Sequence, residues 1–336
     1  MNQNNENREE LGSFDYVIVG AGSAGCTLAA RLSEDPNVSV CVLEAGGSDK
    51  HPLIHTPIGF AFFGENTPLN WHFETTPQKN LNGRSGLQPR GRTLGGSSSI
   101  NAMIYIRGSK ADYNNWAESG ADGWSWDDVL PYFLKAENNE RGNSEFHNDR
   151  GPLSVSELRF KNPLSDVFLD ASRELQLPFN DDFNGETQEG MGYYQVTQRD
   201  GQRCSAAVAY LHPASDRKNV TVITDAHAER VLLTENTATG VAFLQNKQQK
   251  SVYAKREVIL SAGAFQSPQL LMLSGIGPGD HLHKHGIDIV ADRKNVGENL
   301  QDHLDWTGLY KAKSPDSVGL SLSMAMRALP ALSAYR

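Results

Sequence analysis

Cysteine is scarce in this chain: Cys26, Cys41 and Cys204 are three in 336 residues, with no C-x-x-C spacing. An odd, unpaired set reads as buried thiols in a soluble, reducing compartment, and the expected location is cytoplasmic. Basic charge is also short. Lys and Arg number 31 against 40 Asp and Glu, for a net charge of −9, and no basic run overrides this, so a nucleic-acid partner is excluded. No apolar run reaches the length of a bilayer span. The polar opening, MNQNNENREELGS, lacks the apolar core of a signal peptide, and residues 1–13 read as a disordered lead-in. Repeats of solenoid length and the G-x-S-x-G elbow of serine hydrolases are missing as well. His281, His283 and His285 have no H-E-x-x-H and no nearby cysteine, so an exposed helix end stopped by Gly286 is favoured over a metal site. None of the ten histidines sits where a catalytic base is singled out.

What is present is an ordinary globular composition, 38% hydrophobic and 21% charged, long enough for one large domain or two ordinary ones. The chain is organised around Phe14 to Gly25, FDYVIVGAGSAG. Asp15 to Val19 predicts a buried strand, and Ala24 to Leu32 has the composition of a helix. Between them Gly20, Gly22 and Gly25 stand in G-x-G-x-x-G register. Gly20 suits the tight turn, Gly22 lets backbone approach a pyrophosphate, and Gly25 lets helix and strand pack closely. The helix N-terminus is then aimed at phosphate charge. Cys26 falls on this helix and Cys41 in a second strand, Val38 to Leu43. Glu44 closes that strand, where a dinucleotide fold places the carboxylate that accepts from ribose hydroxyls. An acid there disfavours a 2′-phosphate.

The stretch from Gly46 to about Gln88 is irregular, proline-punctuated and aromatic, as in a lid or binding element. Gly91 to Ser109, GRTLGGSSSINAMIYIRGS, offers backbone N–H groups and hydroxyls around Gly95 and Gly96. Locally, an anion cradle and a plain Gly/Ser turn are equally good readings. Arg84 and Arg90 lie nearby, and surface solvation explains them equally well. Ser125 and Asp128 form a capping pair for a helix to about Asn138, despite Pro131. Asn138 to Arg150 reads as a polar linker. Asn162-Pro163 starts another helix, and Asp181 to Gly192 is a loop. Tyr193 to Gln198 alternates as a strand does, and Arg203 to Leu211 reads as a short helix stopped by Pro213. Strands are predicted over Val220 to Thr224, Ala228 to Leu233, Thr239 to Leu244 and Glu257 to Ala262. Ser267-Pro268 then reads as the cap and first position of a helix. This second strand-Gly-helix unit suits a flavin domain, and a plain nicotinamide domain does not require it. Leu322, Met326 and Leu329 form one helical stripe near the end, which stops at Arg336 without a cap.

Three separated segments, GAGSAG with Glu44, GRTLGGSSSIN and GAFQSPQLLMLSGIG, resemble the glucose–methanol–choline (GMC) flavin oxidoreductases, in particular choline dehydrogenase-like alcohol dehydrogenases. NVGENLQDH, Asn295 to His303, is similar to a further family stretch. The resemblance implies an α/β fold, a Rossmann-like FAD-binding domain with an incomplete α+β substrate domain. It places the FAD-binding domain at 14–45 plus 203–300, the lid and extended FAD-binding region at 46–140, and part of the substrate domain at 141–202 plus 301–336. It implies FAD contacts at Gly20, Gly22, Ser23, Ala24, Gly25 and Glu44, and at Arg92, Thr93, Leu94, Gly95, Ser97 and Ser98. Asn101, Ala102, Met103 and Ile104 follow, beside the isoalloxazine and pyrophosphate, and the backbone of Val231 is placed at the adenine. Ile100 stands where some members carry a flavin-linking histidine, so FAD is expected to be non-covalent.

Members of that family oxidise an alcohol by hydride transfer to flavin N5, aided by a histidine with a second His or Asn beside it. The resemblance puts that pair beyond Arg336, so no residue here inherits a catalytic role, and this chain alone is expected not to turn over. A primary alcohol, choline-like compound or polyol and an electron acceptor are the implied partners. Peripheral membrane association through the acceptor and a separately encoded C-terminal half are the further implications. A non-catalytic flavin module and an NAD-dependent dehydrogenase are the alternatives.

Overall fold

The computed structural model describes residues 8–64, 67–303, 305–308, 310, 314, 316 and 317. The chain divides into two compact units, Met1–Glu157 with Gln195–Leu300, and Leu158–Tyr194 with Gln301–Arg336. The stripe expected around Leu322 to Leu329 lies outside the described residues.

The first unit is built on one six-stranded sheet. Its strands are β1 (Glu9–Val19), β2 (Val40–Leu43), β3 (Val220–Ile223), β4 (Ala226–Thr234), β5 (Thr237–Gln245) and β6 (Gln248–Leu260), in the order β4-β5-β6-β1-β2-β3. The four strands β6, β1, β2 and β3 run parallel, and β4 and β5 add an antiparallel hairpin to the β6 edge. This is a mostly parallel α/β sheet of the doubly wound kind. The apolar runs are continuous because both faces are covered. Ile18, Val40 and Val42 turn to one face, against Cys26 and Ala29. Val17, Val19, Cys41 and Leu43 turn to the other, with Val241, Phe243 and Leu270. Each such aliphatic side chain contributes roughly 1.5–3 kcal/mol by leaving water. All three cysteines are buried and free, and burial pushes the Cys26 and Cys41 thiols up to about 12.

The buried residues of helix α1 (Ser23–Leu32), Gly25, Cys26, Ala29 and Ala30, are all small, so it lies close to β1. Helices α2 (Lys110–Glu118) and α3 (Trp126–Ala136) each start with a capping box, Ser109 with Asp112 and Ser125 with Asp128. In the second unit α4 (Pro163–Glu174) starts as its Asn-Pro pair predicts, with Asn162 Oδ1 accepting from Leu164 N–H. Tyr193 OH there donates to Asp166 at 2.9 Å.

Several local expectations are corrected. β1 begins at Glu9, inside the stretch read as a disordered lead-in, because Glu9 and Glu10 pair with β6 and Lys250 meets Glu9 at 3.0 Å. The stretch from Asn138 to Arg150 is no linker. Glu137–Asn139 pairs with Leu153–Val155, and Glu137, Asn139 and His147 are buried in a polar network that includes a 2.7 Å Arg107–Glu137 ion pair. Tyr193 to Gln198 forms no continuous strand; Val196 bridges to Ile104 and Ser156, and Gln198 pairs with Arg203 in a short hairpin. The helix over Ala207–Leu211 is a π turn that continues directly into His212–Ser215, so Pro213 does not stop it. Helix α5 (Gly263–Leu273) starts four residues ahead of Ser267, which leaves Pro268 inside it. Gly263, at φ +85°, makes the turn out of β6, and Ser267 Oγ accepts from Ala262 N–H instead of capping the helix.

Candidate functional site

The carboxyl ends of β1, β2 and β6 open into one cavity of about 650 Å³, lined from Val19–Gly20, Leu43–Glu44 and Leu260–Ser261. That volume suits a small-molecule site (~300–1,000 Å³), and parallel sheets bind ligands at this end of their strands. Gly22, Ser23 and Ala24 bring the start of α1 to the cavity wall, and no side chain caps that first turn. Its backbone N–H groups are thus left for an anion.

Each glycine of the motif has a distinct geometry. A Cβ on Gly25 would sit 1.9 Å from the Gly20 carbonyl oxygen, so only glycine lets α1 approach the turn. Gly20 has φ +97° and would meet the Ser261 carbonyl oxygen at 2.6 Å. Gly22 is different. A Cβ there would meet no protein atom within 4 Å and would enter space bordering the cavity. A cradle that excludes side chains without protein crowding fits a diphosphate.

Gly95 and Gly96 pack against this same turn. Gly95 N–H donates to Ala21 C=O at 2.8 Å, and Gly96 packs on Gly22 so tightly that a Cβ would lie 2.8 Å from its Cα. Gly96 and Ser97 line the cavity with Gly91. Glu44 fastens the arrangement from below. It is 5% exposed, and its carboxylate accepts from Ala21 N–H at 2.9 Å and Gly46 N–H at 2.8 Å. Burial, the dominant influence, raises its carboxyl to about 7; the two N–H donors and Arg92 pull it down. Glu44 therefore both faces the cavity and holds the glycine turn.

Of the residues expected to touch the cofactor, Gly20, Gly22, Ser23, Ala24, Glu44 and Ser97 line this cavity. Gly25 acts in packing. Arg92, Thr93, Leu94, Gly95, Ser98, Asn101, Ala102, Met103 and Ile104 lie outside its lining. Arg92 stands over the Trp71 ring at 4.9 Å, Thr93 Oγ1 and Leu94 N–H both donate to Gly47 C=O, and Ser98 Oγ donates to Gly95 C=O. Asn101 is considered with Arg203 below. Val231 is also outside the lining, and its N–H donates to Ser274 Oγ at 2.8 Å.

An aromatic wall completes the cavity. Trp71 stacks on Phe73 at 5.8 Å, His227 tilts against Trp71, and Phe265 meets Phe73 edge-on. Arg90 lies 4.6 Å over Phe265 and lines the cavity, so it is not merely a solvated surface residue. These residues come from three distant segments, and only the run of aromatics between Gly46 and Gln88 signalled them. No group of metal-ligating side chains forms among the described residues.

A parallel sheet, a glycine turn at its carboxyl end, a second glycine segment against the first and an acid closing β2 define a dinucleotide-binding α/β protein. The description "GMC oxidoreductase" matches residues 14–305, and the chain belongs to that family. It is 51% identical over 325 residues to an alcohol dehydrogenase [acceptor] of Pseudomonas putida, covering 96% of this chain and 59% of the relative. It is 46% identical over 291 residues to an oxygen-dependent choline dehydrogenase of Brucella ovis, covering 87% of this chain and 53% of the relative. Among solved structures, pyridoxine 4-oxidase from Mesorbium loti superposes with a TM-score of 0.80 at 36% identity, over 84% of this chain and 56% of the other. A formate oxidase from Aspergillus oryzae, studied for FAD modification, gives 0.78 at 32%, over 86% and 52%. The chain thus spans between half and three-fifths of the length of these relatives.

Proposed function

We propose that this chain is the cofactor-binding portion of an FAD-dependent enzyme that oxidises CH–OH groups and passes electrons to an external acceptor. The observation that carries the reading is the joining of two glycine segments, through Gly22 and Gly96, at the carboxyl end of the sheet. The cofactor is FAD, which supplies the acceptor for the hydride leaving an alcohol carbon. The first turn of α1 and Gly22 hold the diphosphate, Glu44 orients the ribose end, and the wall of Trp71, Phe73 and Phe265 excludes water. Val231 is proposed at the adenine, and Asn101 to Ile104 at the isoalloxazine. Ile100 cannot bond the flavin covalently, so the cofactor is held by contacts alone. The substrate is a primary alcohol, a choline-like compound or a polyol, and the site of action is the cytoplasm. Groups that move the hydroxyl proton lie outside residues 1–336.

Titration of the purified chain with FAD and with NAD, read by flavin absorbance and tryptophan quenching, tests this. One equivalent of FAD, released unmodified by acid, is expected, with no saturable NAD binding. NAD binding without FAD binding would overturn the assignment. With FAD bound, no turnover of choline or primary alcohols is expected; flavin-dependent turnover would show that the reacting groups lie within this chain.

A further inference from the structure

Arg203 is the largest of the fully buried side chains among the described residues, only 2% exposed. Its Nε donates to Ile54 C=O at 2.7 Å, and one Nη donates to Ser98 C=O at 3.1 Å and to Asn101 Oδ1 at 2.8 Å. The other Nη is buried without a partner. Every acceptor is neutral. A buried charge is normally matched by an opposite one, because partial dipoles replace water's solvation incompletely. Burial lowers this guanidinium to about 10, which still leaves it charged at neutral pH.

The acceptors are informative. Asn101 Oδ1 also accepts from Met103 N–H at 3.1 Å, and Met103 is held at φ +63° in the left-handed region. Its carbonyl accepts from Thr197 N–H at 2.8 Å. Ser98 Oγ accepts from Ala206 N–H and donates to Gly95 C=O, and Gly95 N–H reaches Ala21 in the first glycine turn. One planar fork therefore fixes the turn Ser98 to Met103, and hydrogen bonds continue from that turn to the GxGxxG segment. A lysine ammonium has no such fork.

We propose that Arg203 positions the Ser98–Met103 turn for the cofactor, and that its unneutralised charge stabilises the cofactor's reduced, more negatively charged state. The proposal rests on the FAD reading above. An interior cation that neutral acceptors do not cancel acts over several ångströms, since Coulomb energy falls only as the inverse of distance.

The test is the midpoint potential of FAD bound to the 336-residue chain, by dye equilibration, with the dissociation constant of oxidised FAD measured in parallel. Arg203→Met is expected to weaken binding of reduced FAD at least tenfold more than that of oxidised FAD, a fall of about 30 mV for a two-electron couple. Arg203→Lys keeps the charge and loses the fork, so oxidised binding weakens while the potential holds. Asn101→Asp leaves Arg203 in place and supplies the missing counter-charge, so its potential also falls while circular dichroism is unchanged. An unchanged potential in Asn101→Asp overturns the proposal, even where Arg203→Met does not fold. Failure of the unaltered chain to take up FAD overturns the cofactor reading instead.

Discussion

A methyl group on Gly96 would lie 2.8 Å from the Cα of Gly22, so two glycines 74 positions apart in sequence touch backbone to backbone. The contact makes one cradle from two segments, and it sets the three motif glycines apart by what a side chain would meet at each.

Gly22→Ala and Gly25→Ala should therefore separate. A Cβ at position 22 meets no protein atom within 4 Å, so urea unfolding of the apo chain should stay within about 0.5 kcal/mol of the parent. FAD affinity should fall at least tenfold, because the methyl occupies the space of the ligand. Gly25→Ala forces a clash at 1.9 Å with a backbone oxygen and should cost on the order of 3 kcal/mol in the same unfolding experiment.

Glu44 should impose a pH slope on the apo protein. Its folded value, about 7, lies above the ordinary carboxylate value of 4.5. The folded state thus holds this proton more tightly than the unfolded chain does. The associated stability is fully present below about 4.5 and is lost as pH rises through about 7, for a total on the order of 3 kcal/mol. Melting curves between pH 4 and 8 should show that decline, and Glu44→Gln should flatten it. An identical slope in the variant would place the titration elsewhere.

His212 should move in the same direction for another reason. Its Nε2 lies 3.0 Å from the buried Asp49 carboxylate, whose hydrogen bond raises the imidazole above its ordinary 6.5. Stability from this pair is present below pH 6.5 and fades as pH passes the raised value. An NMR titration of the His212 ring should report the raised midpoint, and Asp49→Asn should return it toward 6.5.

Trp71 should report cofactor directly. It is stacked on Phe73 and capped by Arg92, and it lines the cavity. Trp71→Ala should weaken FAD about tenfold, ~1.4 kcal/mol, and remove much of the tryptophan quenching. Undiminished quenching would locate the flavin away from this wall.

The sheet and the glycine turn were legible because their signals are local. Apolar runs such as Val17–Val19 and Val40–Leu43 mark strands buried on both faces, and Glu44 follows directly from the second. The Glu137 network was not legible. Its members Arg107, Glu137, His147 and Gln195 are spread over 88 positions, and each looks like surface until the fold supplies its partners. The aromatic wall failed for the same reason, since Trp71, His227 and Phe265 meet only in space. Ser267-Pro268 misled differently. The pair has the chemistry of a helix start, but the left-handed turn at Gly263 begins the helix one turn sooner.

The pairing of β1 with β6 sets a timetable for synthesis. Val17 to Val19 find their partners Val258 to Leu260 about 240 residues later in the chain. A ribosome adding about 5–20 residues per second needs roughly 12–50 seconds to cover that distance. For that interval the apolar end of β1, Val17 to Val19, has one edge unpaired outside the exit tunnel, open to pairing with other chains. Yield of the native chain should therefore depend on translation speed and on chaperones that cover the N-terminal fifty residues.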